Sequence, residues 1–208
     1  MGDERSRERQ RAVFFDLGGV VCQFSHDRRL AALARASGLS VEEVHHRLFA
    51  SGFDLDCDRG HYTLEQQCAQ ICARLNLVRS QHELAEFWAE AFVPDADVLA
   101  IVGHVRSRAF TGILTNNGPL VHLMVEELFP DVAAWFDALC FSYEVMSTKP
   151  EPRAFLATLE RLNVTPEQCV FVDDAEQNVQ GARAVGIDAV RFVSAQKLAS
   201  SLQERQLV

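Results

Sequence analysis

Apolar and polar positions along the chain follow two different periods. Val13-Phe14-Phe15 is an unbroken apolar run that ends on a carboxylate, Asp16, and turns on Gly18 and Gly19 before Val20 and Val21. A short continuous run bounded by turn residues predicts a strand buried on both faces. The spacing then becomes helical. Leu30, Leu33 and Ala34 share one face of a helix predicted over Asp27 to Ser37, with Gly38 as its stop. Ser40-Val41-Glu42-Glu43, Thr63-Leu64-Glu65-Gln66 and Ser80-Gln81-His82-Glu83 each read as a capping box that opens a helix. Between the first two of these, Ser51 to His61 is polar and acidic with two glycines, which predicts a loop. Pro94 closes the helical region.

From Asp95 onward helix and strand alternate. Helices are expected at Val98 to Arg106, Pro119 to Leu128, Arg153 to Leu162, Ala175 to Val185 and Ala195 to Glu204. Strands are expected at Phe110 to Leu114, Ala138 to Phe141, Val170 to Val172 and Ala189 to Val193. That alternation predicts an α/β fold: a doubly wound parallel sheet with an inserted helical subdomain. The expected division is an α/β core over residues 12–23 and 95–208, a helical insertion over 24–94, and a flexible N-terminal tail over 1–11.

Composition narrows the partners. The formal net charge of −9 argues against nucleic acid or an anionic membrane as the main partner. No run is long enough to span a bilayer, and the charged N-terminus lacks the apolar stretch of a signal peptide. Six cysteines without a CxxC pair read as reduced, mostly buried thiols of a cytoplasmic protein. Cys68 and Cys72, four apart, read as the apolar face of a helix, and His45-His46 as surface.

In a parallel sheet, Asp16, Thr115 with Asn116, and Asp173 with Asp174 all fall at C-terminal strand ends, and Lys149 sits in a loop beyond a fourth strand. Those ends share one edge, where open α/β sheets bind ligands. The carboxylates are hard oxygen ligands of the kind Mg²⁺ prefers. Lys149 would help to neutralise a phosphate, and Thr115, Asn116 and the Gly18 and Gly19 amides would hydrogen-bond its oxygens. One acid must then serve as the nucleophile. Singly, each residue has an ordinary explanation: Asp173-Asp174 as a helix cap, Lys149 as a solvated lysine, Thr115-Asn116-Asn117-Gly118 as a turn. Neither a GxGxxG nor a P-loop pattern is present.

These stretches resemble, in order, the four motifs of the haloacid dehalogenase (HAD) superfamily: Phe15-Asp16-Leu17-Gly18-Gly19-Val20, Leu114-Thr115-Asn116, Lys149-Pro150, and Val170-Phe171-Val172-Asp173-Asp174 with Asn178. The insertion resembles that superfamily's helical C1 cap. The resemblance is nearest to glucose-1-phosphate phosphatase-like proteins and to the phosphatase domain of soluble epoxide hydrolase. It implies Mg²⁺-dependent hydrolysis of a small phosphorylated metabolite, such as a sugar phosphate, by a monomer or weak homodimer. Asp16 would form an aspartyl-phosphate. Asp16, the Gly18 carbonyl and Asp174 would hold the metal, with Asp173 and Asn178 in support, and Thr115 and Lys149 would bind the phosphoryl group. Arg59-Gly60 resembles the cap loop that selects substrate. The acids and His61 around it, Asp54, Asp56 and Asp58, otherwise read as a solvated charged loop.

One position departs from the pattern. Most phosphatases of the superfamily carry a general acid two residues after the nucleophile, and here that position is Gly18. Two other readings stay open. One is dehalogenation by Asp16 without a metal. The other is a non-catalytic binding module that keeps the fold.

Overall fold

The computed structural model describes residues 11–208. Of the expected N-terminal tail only Arg11 falls among them. Among the described residues there are seven strands: β1 (Ala12–Phe15), β2 (Cys22–Phe24), β3 (Phe92–Pro94), β4 (Phe110–Thr115), β5 (Ala138–Phe141), β6 (Cys169–Asp173) and β7 (Asp188–Arg191). Five of them form one sheet in the order β5-β4-β1-β6-β7, and every pairing in it is parallel. β1 is its centre and buried on both faces, as a continuous apolar run requires. Val13 and Phe15 point into one layer and Ala12 and Phe14 into the other.

Twelve α-helices accompany the strands among the described residues: α1 (His26–Ser37), α2 (Val41–His45), α3 (Phe53–Asp58), α4 (Leu64–Leu75), α5 (Gln81–Ala89), α6 (Ala96–Arg106), α7 (Pro119–Leu128), α8 (Pro130–Ala133), α9 (Ser142–Val145), α10 (Pro152–Arg161), α11 (Glu176–Ala184) and α12 (Ala195–Glu204). Residues of α6, α7 and α12 join Val13 and Phe15 in one apolar layer. Residues of α10 and α11 join Ala12 and Phe14 in the other. Helices on both faces of a parallel sheet make the doubly wound α/β architecture that the alternation predicted.

The first five helices lie between β2 and β3, two short antiparallel strands that pair Cys22 with Pro94 and Phe24 with Phe92. This ribbon was not legible in the sequence, because three-residue strands carry no usable period. All three capping boxes form: the Ser40, Thr63 and Ser80 hydroxyls accept from the N–H of Glu43, Gln66 and Glu83, and their own N–H groups donate back to those side chains. Gly38 ends α1 in the left-handed conformation at φ 70°. The expected loop from Ser51 to His61 is a correction. It contains α3, entered through Gly52 at φ 82° and held by the apolar anchors Phe53 and Cys57. Cys68 is buried on α4, and His45 and His46 are exposed. All six cysteines are free thiols, five of them buried. No helix among the described residues is long and apolar enough to cross a membrane.

Candidate active site

Three adjacent strands deliver the polar groups. The Asp16 N–H donates to Val172 O at 2.9 Å, which extends the β1–β6 ladder one residue beyond the strand. Its carboxylate thus stands at the sheet edge between Thr115 on β4 and Asp173 on β6. Asp16 Oδ1 accepts the Leu17 N–H at 2.8 Å and lies 3.0 Å from Lys149 Nζ. Lys149 is buried, and its ammonium also donates to Asp173 Oδ2 at 2.7 Å and Leu114 O at 2.9 Å. Asp173 is fully buried and completely engaged. Asn178 Nδ2 reaches both of its oxygens at 3.1 Å, and the Ala175 N–H donates to Oδ1 at 2.8 Å. Thr115 lowers the pKa of the Asp16 carboxyl, and its hydroxyl oxygen accepts from Asn117 Nδ2 at 2.8 Å.

Two residues expected to face a phosphate are occupied otherwise. Asn116 pairs with the main chain of the Lys149 loop: Oδ1 accepts the Lys149 N–H at 2.7 Å and Nδ2 donates to Lys149 O at 2.8 Å. It aims the lysine with its side chain. The Gly19 N–H donates to Cys22 O at 2.7 Å, so that amide is spent. Gly19 is required for another reason. It sits at φ 90°, and a Cβ there would come within 2.7 Å of the Asp174 carboxylate.

The donor set fits a hard divalent cation. Asp16, Asp173 and Asp174 bring one carboxylate oxygen each within 4.8 Å of one another. Among the described residues Lys149 is the one ammonium placed against them, so negative charge is in excess. Burial raises the pKa of Asp16 despite Lys149, and burial together with Asp173 raises that of Asp174. Asp173 is already saturated by Lys149, Asn178 and Ala175, whereas Asp174 is exposed.

Asp16, Gly18, Thr115, Asn116, Asn117, Lys149 and Asn178 line a pocket at this edge, and Phe24 and Phe92 form its wall, with ring centroids 5.2 Å apart. The two aromatics and Asn117 were missed in the sequence, where nothing marks a phenylalanine of a short ribbon as a wall. Arg59 is not among the lining residues. It pairs with Glu151 at 3.2 Å and ties the end of α3 to the loop that carries Lys149.

A second polar cluster lies beside the pocket. Arg29 on α1 is buried, with its guanidinium 5.2 Å from the Phe24 ring centre, 5.4 Å from Trp88 and 5.7 Å from Phe92. Its charge is opposed by Asp54 and Asp58 on α3. The Asp58 main-chain carbonyl accepts the Ser142 hydroxyl at 2.7 Å. Burial raises the pKa of Asp54. Burial and then Asp54 raise that of Asp58 well above the ordinary carboxylate range. Asp56 and His61, also expected in a solvated loop, pair with each other at 3.3 Å on the exposed side.

Comparison with known proteins agrees with this arrangement. The chain is 30% identical to a phosphatase of Mycobacterium tuberculosis over 86% of its own length and 85% of the relative's. It is 28% identical to a phosphorylated-carbohydrate phosphatase of Thermotoga maritima, over 86% and 83%. Among solved structures, a HAD family enzyme of Bacteroides thetaiotaomicron superposes with a TM-score of 0.77 at 22% identity, covering 92% of this chain and 98% of that one. L-2-haloacid dehalogenase of Xanthobacter autotrophicus superposes at 0.60 and 22% identity, over 95% and 84%. These two likenesses carry the fold alone. Residues 10–186 match the haloacid dehalogenase-like hydrolase family, and with the strand-end carboxylates and the buried lysine in place the chain belongs to that family.

Proposed function

We propose that this hydrolase cleaves a small phosphomonoester, with Asp16 as nucleophile and Mg²⁺ as cofactor. The observation that carries the reading is a strand-end carboxylate ion-paired to a buried lysine, with Asp173 and Asp174 on the same edge. Asp16, Asp174 and the Gly18 carbonyl would hold the metal, and Asp173 would fix Lys149. Mg²⁺ supplies positive charge against phosphate oxygens when bound. Lys149 and Thr115 bind and orient the phosphoryl group, and Asp16 attacks phosphorus as the ester oxygen departs. Water then hydrolyses the aspartyl-phosphate. The relatives are phosphatases, one of them of phosphorylated carbohydrates, and the bacteroidal neighbour has been seen with magnesium and inorganic phosphate. A sugar phosphate fits that company. Residues 24–94 act in this reading as a cap over the sheet edge, with the Cys22–Phe24 and Phe92–Pro94 ribbon as its stem. The test is release of p-nitrophenol from p-nitrophenyl phosphate with Mg²⁺ and with EDTA. Metal-dependent release supports the proposal. Halide release from 2-haloacids would favour attack of Asp16 on carbon, and activity in neither assay would favour a binding module.

A further inference from the structure

The leaving oxygen of a phosphomonoester takes up a proton as it departs unless it is stable as an anion. In most phosphatases of this superfamily the donor stands two residues after the nucleophile, and here that residue is Gly18. Aromatic carbon fills the space instead. Beyond its chain neighbours, a Cβ on Gly18 would find Phe24 Cβ and Phe92 Cε1 nearest, each at 3.4 Å, and then Phe24 Cγ at 3.5 Å. Where a carboxyl would stand, this chain puts two phenylalanine side chains.

We infer that Phe24 and Phe92 form a binding wall for an aromatic leaving group, and that the substrates of this site are aryl phosphates, the monoesters of a phenol. The inference rests on the phosphatase reading above and narrows it at the leaving group. A sugar phosphate releases an alcohol and is the competing outcome of the test.

Both rings line the pocket that Asp16, Thr115 and Lys149 share. The register of β2 and β3 sets Phe24 opposite Phe92, so the rings stand as a cross-strand pair with centroids 5.2 Å apart. Arg29 supports them. It is 4% exposed, its Nε has no hydrogen-bond partner, and its guanidinium lies 5.2 Å from the Phe24 ring centre and 5.7 Å from that of Phe92. A buried guanidinium set against ring faces fixes the wall by cation–π attraction. Phe92 is buried, whereas Phe24 is 44% exposed, which leaves ring surface for a second ring to cover.

The polar side chains of the lining serve the phosphoryl end. Asn116 is held by the Lys149 main chain, Asn117 Nδ2 donates to Thr115, and Asn178 Nδ2 donates to Asp173. Asn178 Oδ1 is buried without a partner, and an amide oxygen has no proton to give. Among the described residues the ionisable groups of the lining are Asp16, the nucleophile, and Lys149, whose ammonium is engaged by Asp16 and Asp173. A leaving group that departs as a stable anion and presents an apolar ring matches this division.

The step balances without a general acid. As Asp16 Oδ bonds to phosphorus, the P–O bond to the aryl oxygen breaks and its electron pair leaves with the phenolate. The phenolate takes its proton from solvent after release. Water then adds to phosphorus, the Asp16 carboxylate departs as an anion, and both protons of that water remain on inorganic phosphate.

The test uses the full chain with Mg²⁺, in single-turnover reactions with phenyl phosphate, its p-methyl and p-nitro derivatives, ethyl phosphate, glucose-1-phosphate and acetyl phosphate. Phenyl phosphate should outrun the ethyl and sugar esters by about 10²–10⁴-fold, the worth of the missing acid. From the p-methyl to the p-nitro ester the rate should rise about tenfold or more, as the departing phenol becomes more acidic. Acetyl phosphate also releases a stable anion but carries no ring, so it separates the wall from leaving-group acidity. Phe24→Leu keeps apolar bulk at a half-exposed position and removes the ring. It should lower kcat/KM for phenyl phosphate by about 2–12-fold relative to acetyl phosphate, the worth of one aromatic contact. Equal losses on those two substrates would mark a merely structural residue and overturn the wall. Ethyl phosphate or glucose-1-phosphate reacting as fast as phenyl phosphate would show a proton donor at work and overturn the substrate class, with the phosphatase reading intact. A parent enzyme inactive on every one of these compounds refutes the phosphatase reading and the inference with it.

Discussion

Replacing Lys149 with methionine isolates the electrostatics of the site. Methionine keeps most of the apolar stem and removes the ammonium. Three short contacts vanish: Asp173 at 2.7 Å, Leu114 O at 2.9 Å and Asp16 at 3.0 Å. At an effective dielectric constant of about 20, each carboxylate contact is worth about 5–6 kcal/mol of gross attraction. Desolvation of the lysine offsets much of this, and removing one partner of a buried pair costs about 3–5 kcal/mol net. For a chain of this size that is a fall in Tm of about 6–20 °C. The loss should depend on pH. Burial holds the pKa of Asp16 above its ordinary value, and Lys149 is the largest effect opposing that rise. A carboxyl whose folded pKa is raised favours the fold while protonated and disfavours it as pH rises through the folded value. The deficit of Lys149→Met should therefore be full near pH 7.5 and shrink toward pH 5, as a stranded carboxyl takes up a proton. The assay is urea denaturation of both proteins at the two pH values in EDTA, with the double variant Lys149→Met/Asp173→Asn alongside. The double variant should recover part of the stability, because it removes one of the stranded charges. A deficit below about 1 kcal/mol, or equal deficits at both pH values, would refute this account of the buried charges.

Asp16→Asn should leave the fold intact by circular dichroism and abolish turnover and phosphoryl-enzyme formation, because an amide is no nucleophile toward phosphorus. Asp174→Ala should raise the Mg²⁺ concentration needed for half-maximal activity while changing stability little, since the side chain is exposed. Asp173→Ala should instead cost about 3–5 kcal/mol in denaturant, because it strands the buried Lys149. Gly18→Asp should be tolerated, as a Cβ there meets nothing closer than 3.4 Å. It should speed alkyl phosphates by about tenfold or more relative to aryl ones in single-turnover assays. Gly19→Ala should cost about 1–3 kcal/mol from its positive φ and displace Asp174, which a raised Mg²⁺ requirement would report.

Much of this site was legible because its parts are local. Asp16, Thr115 and Asp173 end apolar runs, and a run that stops at a polar residue places that residue at a strand end whatever the strand order. The three capping boxes and the αL glycine at the end of α1 are likewise decided within a few residues, and each formed as its spacing predicted. The segment from Ser51 to His61 failed for the opposite reason. Its acids and glycines describe a solvated turn, yet Phe53 and Cys57 anchor it as a helix through contacts with residues distant in the chain.

The sequence alone determined the alternation of elements, the order of the four motifs, the helical insertion between the first two strands of the sheet, and the absence of an acid at Gly18. Those properties are written in neighbouring residues. Tertiary structure decided the strand order that puts β1 between β4 and β6, and so made two carboxylates, Asp16 and Asp173, share one lysine. It committed Asn116 to the Lys149 main chain, 33 positions away. It also brought Arg29, Asp54 and Asp58, members of a polar helix and an acidic stretch, into one cluster in which Arg29 is buried and the two acids are half-buried. Hydrogen bonds and desolvation act over a few ångströms of space, and residues so far apart along the chain acquire that proximity only when the fold closes.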